Sequence, residues 1–116
     1  DALAFESVMQ AFKGEGDRSS ACEHAASVPA QVIAICLTHV EDLEYLSAQG
    51  NPNLITDTAI ASLLFDSALK SSELNILINI KDFDDIPEDL ESAINSVPGA
   101  TNRLQFIAST IRTGLS

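Results

Sequence analysis

The chain has 116 residues, 46% of them hydrophobic, and carries 17 Asp and Glu against six Lys and Arg, a formal net charge of −11. That length suits a single domain, residues 1–116, built around one core. The hydrophobic share excludes an acidic disordered chain. The six scattered cations exclude the clustered phosphate contacts of a nucleic-acid binder or of a protein held on an anionic membrane surface.

Helical periodicity dominates the chain from its start. Phe5, Val8, Met9 and Phe12 predict a first helix, ended by Gly14 and Gly16. Ser20 and Glu23 read as a capping box opening the second. Pro29 lacks an N–H donor and predicts a break or kink. Val32–Leu37 with Val40, Leu43 and Leu46 reads as the most buried helix, and Gly50 as its left-handed C-terminal residue. The apolar run Val32–Leu37 is far shorter than the roughly 20 residues of a membrane span.

Asn51-Pro52 opens the next helix, Asn as cap and Pro in the first turn. From residue 53 to 70, Leu54, Ile60, Leu63, Leu64 and Leu69 are available to the core. Leu74–Ile80 fits a helix through Leu74, Leu77 and Ile78, and a strand through Ile76, Ile78 and Ile80. A lone strand would have no partner, so helix is the expectation. Asp85 reads as a cap before Leu90, Ile94 and Val97, and Val97-Pro98-Gly99 as a turn. A last helix carries Leu104, Ile107, Ala108, Ile111 and Leu115. The expected fold is all-α, a compact bundle of about five helices.

Cys22 and Cys36 are the only cysteines. Their spacing is not that of a metal pair, and on one straight helix they would lie ~21 Å apart. A reversal at Pro29 would bring them face to face. The expectation is a disulfide, with two free buried thiols as the alternative.

No catalytic signature emerges, and the expectation is a non-enzymatic protein without cofactor or metal. Read as a calcium loop from Asp82, the acidic run Asp82–Glu91 has Pro87 at the sixth position and Ala93 at the twelfth, where Gly and Glu are needed. Its carboxylates instead suit a helix start. Glu41, Asp42 and Glu44 form the densest acidic group on a helix, with Glu41 and Glu44 on one face. His24 and His39 can titrate near neutrality, but neither has a second ligand one helical turn away. No serine lies in a nucleophile elbow, no glycine-rich phosphate loop is present, and no Asp-Ser-Leu carrier site occurs.

Leu46-Ser47-Ala48-Gln49-Gly50, then Pro52-Asn53, then Ala59–Ala68 and Ser71-Ser72-Glu73 together resemble the second and third helices of spidroin N-terminal domains. That resemblance implies a secreted five-helix cap of a silk protein that forms homodimers as pH falls. It places Asp66 and Glu73 at two acidic positions of the pH switch. The chain departs from the family pattern in having no Trp and a single methionine, Met9, and in carrying Leu54 or Ile55 where a lysine is usual. The start at Asp1 without Met fits a mature secreted form or a trimmed segment.

The leading expectation is therefore a pH-responsive self-assembly domain, with Asp66, Glu73, Glu41, Asp42 and Glu44 at the sensing interface. Carboxylates that repel across an interface acquire raised pKa values, which links protonation to association. The expected partner is a second copy, with neither nucleic acid nor membrane. The alternatives are a secreted carrier of a small apolar ligand, lined by Leu74–Ile80, and an acidic helical module that meets a basic protein.

Overall fold

A computed structural model describes residues 3–6 and 18–116. Residues 3–6 are helical, with Ala4 buried. Val8, Met9, Phe12, Gly14 and Gly16 of the expected first helix lie outside the described residues. Among the described residues beyond 3–6 there are four α-helices and no strand: α1 (Arg18–Thr38), α2 (Val40–Gln49), α3 (Ile55–Ile80) and α4 (Glu88–Leu115). A short 3-10 turn, Pro52–Leu54, leads into α3, and the Asn51 side chain caps it by accepting from the Asn53 N–H at 2.9 Å. The all-α bundle is as expected; among the described residues it has these four helices and the helical residues 3–6, where about five helices were expected.

The helix boundaries differ from expectation at Pro29 and Pro98. α1 runs through Pro29, and α4 runs through Pro98. A proline inside a helix costs ~3 kcal/mol because it removes a hydrogen bond and crowds the preceding turn. Here the apolar stripe continues on both sides, so packing offsets that cost. Ala26 and Ile33 flank Pro29 in the core, and Val97 and Ala100 flank Pro98. The actual break falls at His39. The Thr38 hydroxyl donates to the Ile35 carbonyl at 2.6 Å, the acceptor that the His39 N–H would use in a regular helix. The His39 N–H instead closes a tighter turn onto Cys36 at 3.0 Å. A side chain competing for a backbone carbonyl is a known cause of such bends.

This continuity removes the hairpin between the two cysteines. Cys22 and Cys36 lie on the same helix, both buried and both free. Fourteen residues of helical rise, ~21 Å, separate them, which no disulfide spans. Gly50 is also not left-handed. Its backbone is extended (φ −74°, ψ 178°), and its N–H bonds to the Leu46 carbonyl at 3.0 Å. A Cβ there would stand 2.5 Å from that carbonyl oxygen, so close approach is what requires glycine. At the start of α4, Pro87 occupies the cap position without a side-chain cap, in place of Asp85.

α3 packs along α4 on one side and α1 on the other, and the short α2 bridges α3 and α4. The core joins Ile33 and Cys36 of α1, Val40 and Leu43 of α2, Leu69 and Ile76 of α3, and Leu90, Val97 and Leu104 of α4. The α1–α2 run is long and apolar enough to cross a membrane by length and composition. Its side chains at Ala26, Ile33, Cys36 and Val40 are spent on the bundle core.

α3 distributes its residues unusually. Its core-facing positions include Thr58, Ser62 and Ser72 as well as Leu69, Ile76 and Ile80. The buried hydroxyl of Ser62 donates to the Thr58 carbonyl at 2.9 Å, so it is satisfied within the helix. Small side chains there let α3 approach its neighbours closely. The opposite face carries Ile60, Leu63, Leu64, Leu74 and Ile78, each 49–66% exposed. The segment 74–80 is helical, as expected, with Ile76 and Ile80 inward and Leu74 and Ile78 outward.

Candidate functional site

The seam between α3 and α4 opens into a groove of about 400 Å³. Ala59 and Leu63 wall it from α3, and Gln105, Ala108, Ser109, Ile111, Arg112 and Leu115 from α4. The volume falls in the ~300–1,000 Å³ range of small-molecule sites. The alternation arises because Ala108 and Ile111 lie on the buried stripe of α4. Gln105, Ser109 and Arg112 stand one position off it, at its solvent edge. Arg112 sits in the last turn of α4, and among the described residues it joins no ion pair.

Gln105 connects this groove to Asp66, one turn along α3 from Leu63. Its amide N–H donates to Asp66 Oδ2 at 3.5 Å. The Asp66 side chain is only 14% exposed, and the Lys70 ammonium lies 3.2 Å from Oδ1 and 3.3 Å from Oδ2. Oδ1 is shut off from solvent with no aligned hydrogen-bond donor, so the nearby ammonium is its main compensation. A carboxylate oxygen held this way is costly in a folded chain.

The other expected site residues are placed apart from Asp66. Glu44 on α2 makes a two-point ion pair with Arg103 on α4: the Arg103 Nε–H donates to Oε2 at 3.0 Å and its Nη2 meets Oε1. The Arg103 guanidinium holds the Glu44 carboxyl below its ordinary range, chiefly through these hydrogen bonds. Glu41 adds to the field that favours the Arg103 charge. Asp42 instead faces His39, whose Nδ1 lies 3.3 Å from Oδ2, and the His39 ring packs on Phe65 with centroids 5.7 Å apart. Glu73 is half-buried on α3. Glu44 and Asp42 thus serve two separate contacts, and of the expected acids Asp66 alone is linked to the α3–α4 groove, through Gln105.

A second groove of about 380 Å³ lies between α1 and α4, with Ser27, Gln31, Ser92, Ser96 and the single carboxylate of Asp89 among its lining. Neither of these two grooves is lined by Leu74–Ile80. The acids of Asp82–Glu91 do not converge: among the described residues, no three His, Cys, Asp or Glu are placed to hold a metal ion. Gln105 and Arg112 were absent from the expected site. Nothing in their spacing marks them, although the i,i+4 pair Asp66–Lys70 is visible in the sequence.

Residues 1–95 match the family model described as formiminotransferase-cyclodeaminase. The chain is 29% identical over 96 residues to a methenyltetrahydrofolate cyclohydrolase of Methylorubrum extorquens, a match covering 73% of the chain and 46% of that relative. The chain therefore spans about half the length of the curated relative it matches. No solved structure matches it.

These matches overturn the resemblance to spidroin caps, which rested on helix-forming residue types that any bundle shares. With it fall the silk-assembly function, the secreted location and the alternatives of ligand carrier and adaptor. The expectation of a non-enzymatic protein is corrected as well, since the family is named for enzymes and the relative is one. By the match over residues 1–95, the chain belongs to the formiminotransferase-cyclodeaminase family.

Proposed function

We propose that this chain contributes to a hydrolytic site for a methenyl-bridged tetrahydrofolate, the substrate class in the name of its cyclohydrolase relative. The observation that carries the reading is the α3–α4 groove, apolar along its length, with the shielded Asp66 carboxylate beyond one wall and Arg112 within it.

The chemistry fits those groups. A methenyl bridge between two nitrogens is a delocalised amidinium cation. Water adds to its carbon and loses a proton, and one C–N bond then breaks to leave a formyl group on one nitrogen and an N–H on the other. A carboxylate beside that carbon favours the cation and accepts the proton from the attacking water. Asp66, linked to the groove wall through Gln105 and held by Lys70, takes this role by turning its carboxylate into the groove. Ala59, Leu63, Ala108 and Ile111 offer the apolar walls that a flat ring system needs. The Arg112 guanidinium suits a terminal carboxylate of the folate tail.

The test follows the loss of methenyl absorbance with purified chain. Asp66→Asn should lower kcat at least ~100-fold, the contribution of one positioned acid–base group. Arg112→Ala should raise KM with little change in kcat. Direct titration with a folate analogue reads binding separately. A fully active Asp66→Asn variant, or a chain that neither binds folate nor speeds the opening, would sink the reading.

A further inference from the structure

We propose that Lys70 is a displaceable counter-ion: its ammonium occupies at Asp66 the place that a cationic ring takes when the α3–α4 groove is filled. The inference rests on the folate reading above and adds to it what makes the Asp66 carboxylate turn. Lys70 acts through Asp66 and is a positioning residue.

The two members of the pair differ in what they lose by separating. The Asp66 side chain is 14% exposed and the Lys70 side chain 50%. On its flexible stem the Lys70 ammonium swings into water, which replaces what it gives up. The carboxylate has no such recourse. Its Oδ1 is shut off from solvent with no hydrogen-bond donor. Its Oδ2 has the Lys70 ammonium at 3.3 Å and a long 3.5 Å contact from Gln105. A charge left unpaired at that depth is costly, so Asp66 stays with Lys70 until another positive group replaces it.

The groove supplies the route for that exchange. Gln105 stands in the groove wall and already reaches Asp66 across the seam, so a carboxylate turning inward keeps a donor on the way. Arg112 is the one charged residue among the described lining. It lies two helical turns beyond Gln105 along α4, a rise of ~10 Å. One end of the groove thus holds a fixed cation, and the other adjoins an acid that only a cation releases. A ligand with a positive ring at one end and a carboxylate at the other is accepted in a single direction, because reversal sets like charge against like.

The exchange also ends itself. A methenyl bridge carries its positive charge only until it opens. Water's oxygen enters the one-carbon unit, a proton leaves, and the formyl group that remains is uncharged. The attraction for Asp66 disappears with the charge, and Lys70 takes the carboxylate back. An uncharged ligand never displaces Lys70, so its affinity is independent of residue 70.

Single-turnover reactions with methenyltetrahydrofolate, chain in excess, test the proposal on the purified chain and its Lys70→Met and Lys70→Arg variants. The loss of methenyl absorbance against chain concentration gives the dissociation constant of the cation, and its plateau gives the rate of opening. Formyltetrahydrofolate, whose one-carbon unit is uncharged, is titrated against the same chains as a competitor. Lys70→Met should lower the dissociation constant of the cation about 10-fold, between what an exposed and a buried pair contribute. The plateau rate and the formyl affinity should stay within ~2-fold, since the pair is already broken in the loaded chain and never broken by the formyl compound. Lys70→Arg keeps the positive charge and should behave as the unsubstituted chain. Residue 70 is exposed, so helicity by circular dichroism should hold. A cation affinity that is unchanged or weaker in Lys70→Met, or a formyl affinity that moves by the same factor, would overturn the exchange. If Asp66→Asn is inactive in that case, the folate reading stands without it. An unsubstituted chain that binds neither compound would overturn both.

Discussion

Leu64 and Leu69 sit five residues apart on α3, and their helical phase makes opposite predictions for truncation. Leu69 is 0% exposed and Leu64 is 66% exposed. Leu69→Ala removes three buried carbons at about 0.8 kcal/mol each, or ~2.4 kcal/mol of transfer free energy. An unrelaxed cavity of roughly 50 Å³ adds ~1 kcal/mol. The total is ~3 kcal/mol. Leu64→Ala forfeits about a third of the transfer contribution and opens no cavity, so it should cost ~0.8 kcal/mol. With a urea slope of ~1.5 kcal/mol/M, the midpoint should fall by ~2 M for Leu69→Ala and ~0.5 M for Leu64→Ala. Urea titration followed by circular dichroism reads both. Equal shifts, or a larger one for Leu64, would refute the assigned face of α3.

Two further predictions concern titrating groups. The Arg103 guanidinium lowers the folded Glu44 pKa from its ordinary 4.5, so the stabilisation is present above 4.5 and is lost as pH falls through the lower folded value. The pair is 39–48% exposed and therefore screened. Glu44→Gln should cost only ~0.5 kcal/mol at neutral pH, and the difference from the unsubstituted chain should vanish in acid. A gap that persists unchanged below that window would remove the ion pair as its cause. Burial raises the Cys36 thiol above its ordinary 9.0, against a smaller lowering by a backbone hydrogen bond. The thiol should alkylate slowly in the native chain. Two thiols per chain should titrate in denaturant without reductant, and finding none there would contradict the free cysteines. Stability should also decline as pH rises past 9.0, because the unfolded thiol ionises first.

Local periodicity by itself determined the helical class, the caged polar start at Asn51-Pro52 and most inward residues of α4, because i,i+3,i+4 spacing places side chains on a face whatever they meet. It located the helix breaks poorly. Pro29 and Pro98 are strong local breakers, yet they are overridden by cores continuous across them. The bend at His39 depends on which donor captures the Ile35 carbonyl, a competition no residue type announces. The cysteines follow from that: once α1 passes straight through Pro29, Cys22 and Cys36 lie about four turns apart on one helix. Periodicity also misjudged α3: Leu54, Ile60, Leu63 and Leu64 were expected in the core with Leu69, yet only Leu69 is buried, because small hydroxyl residues share its inward face. Close packing decided it, turning Ser62 and Leu69 in and Leu63 and Leu64 out. Asp66 stood out as an acid from the start. Only tertiary packing brought Gln105, 39 residues away, against it and shut one of its oxygens from water.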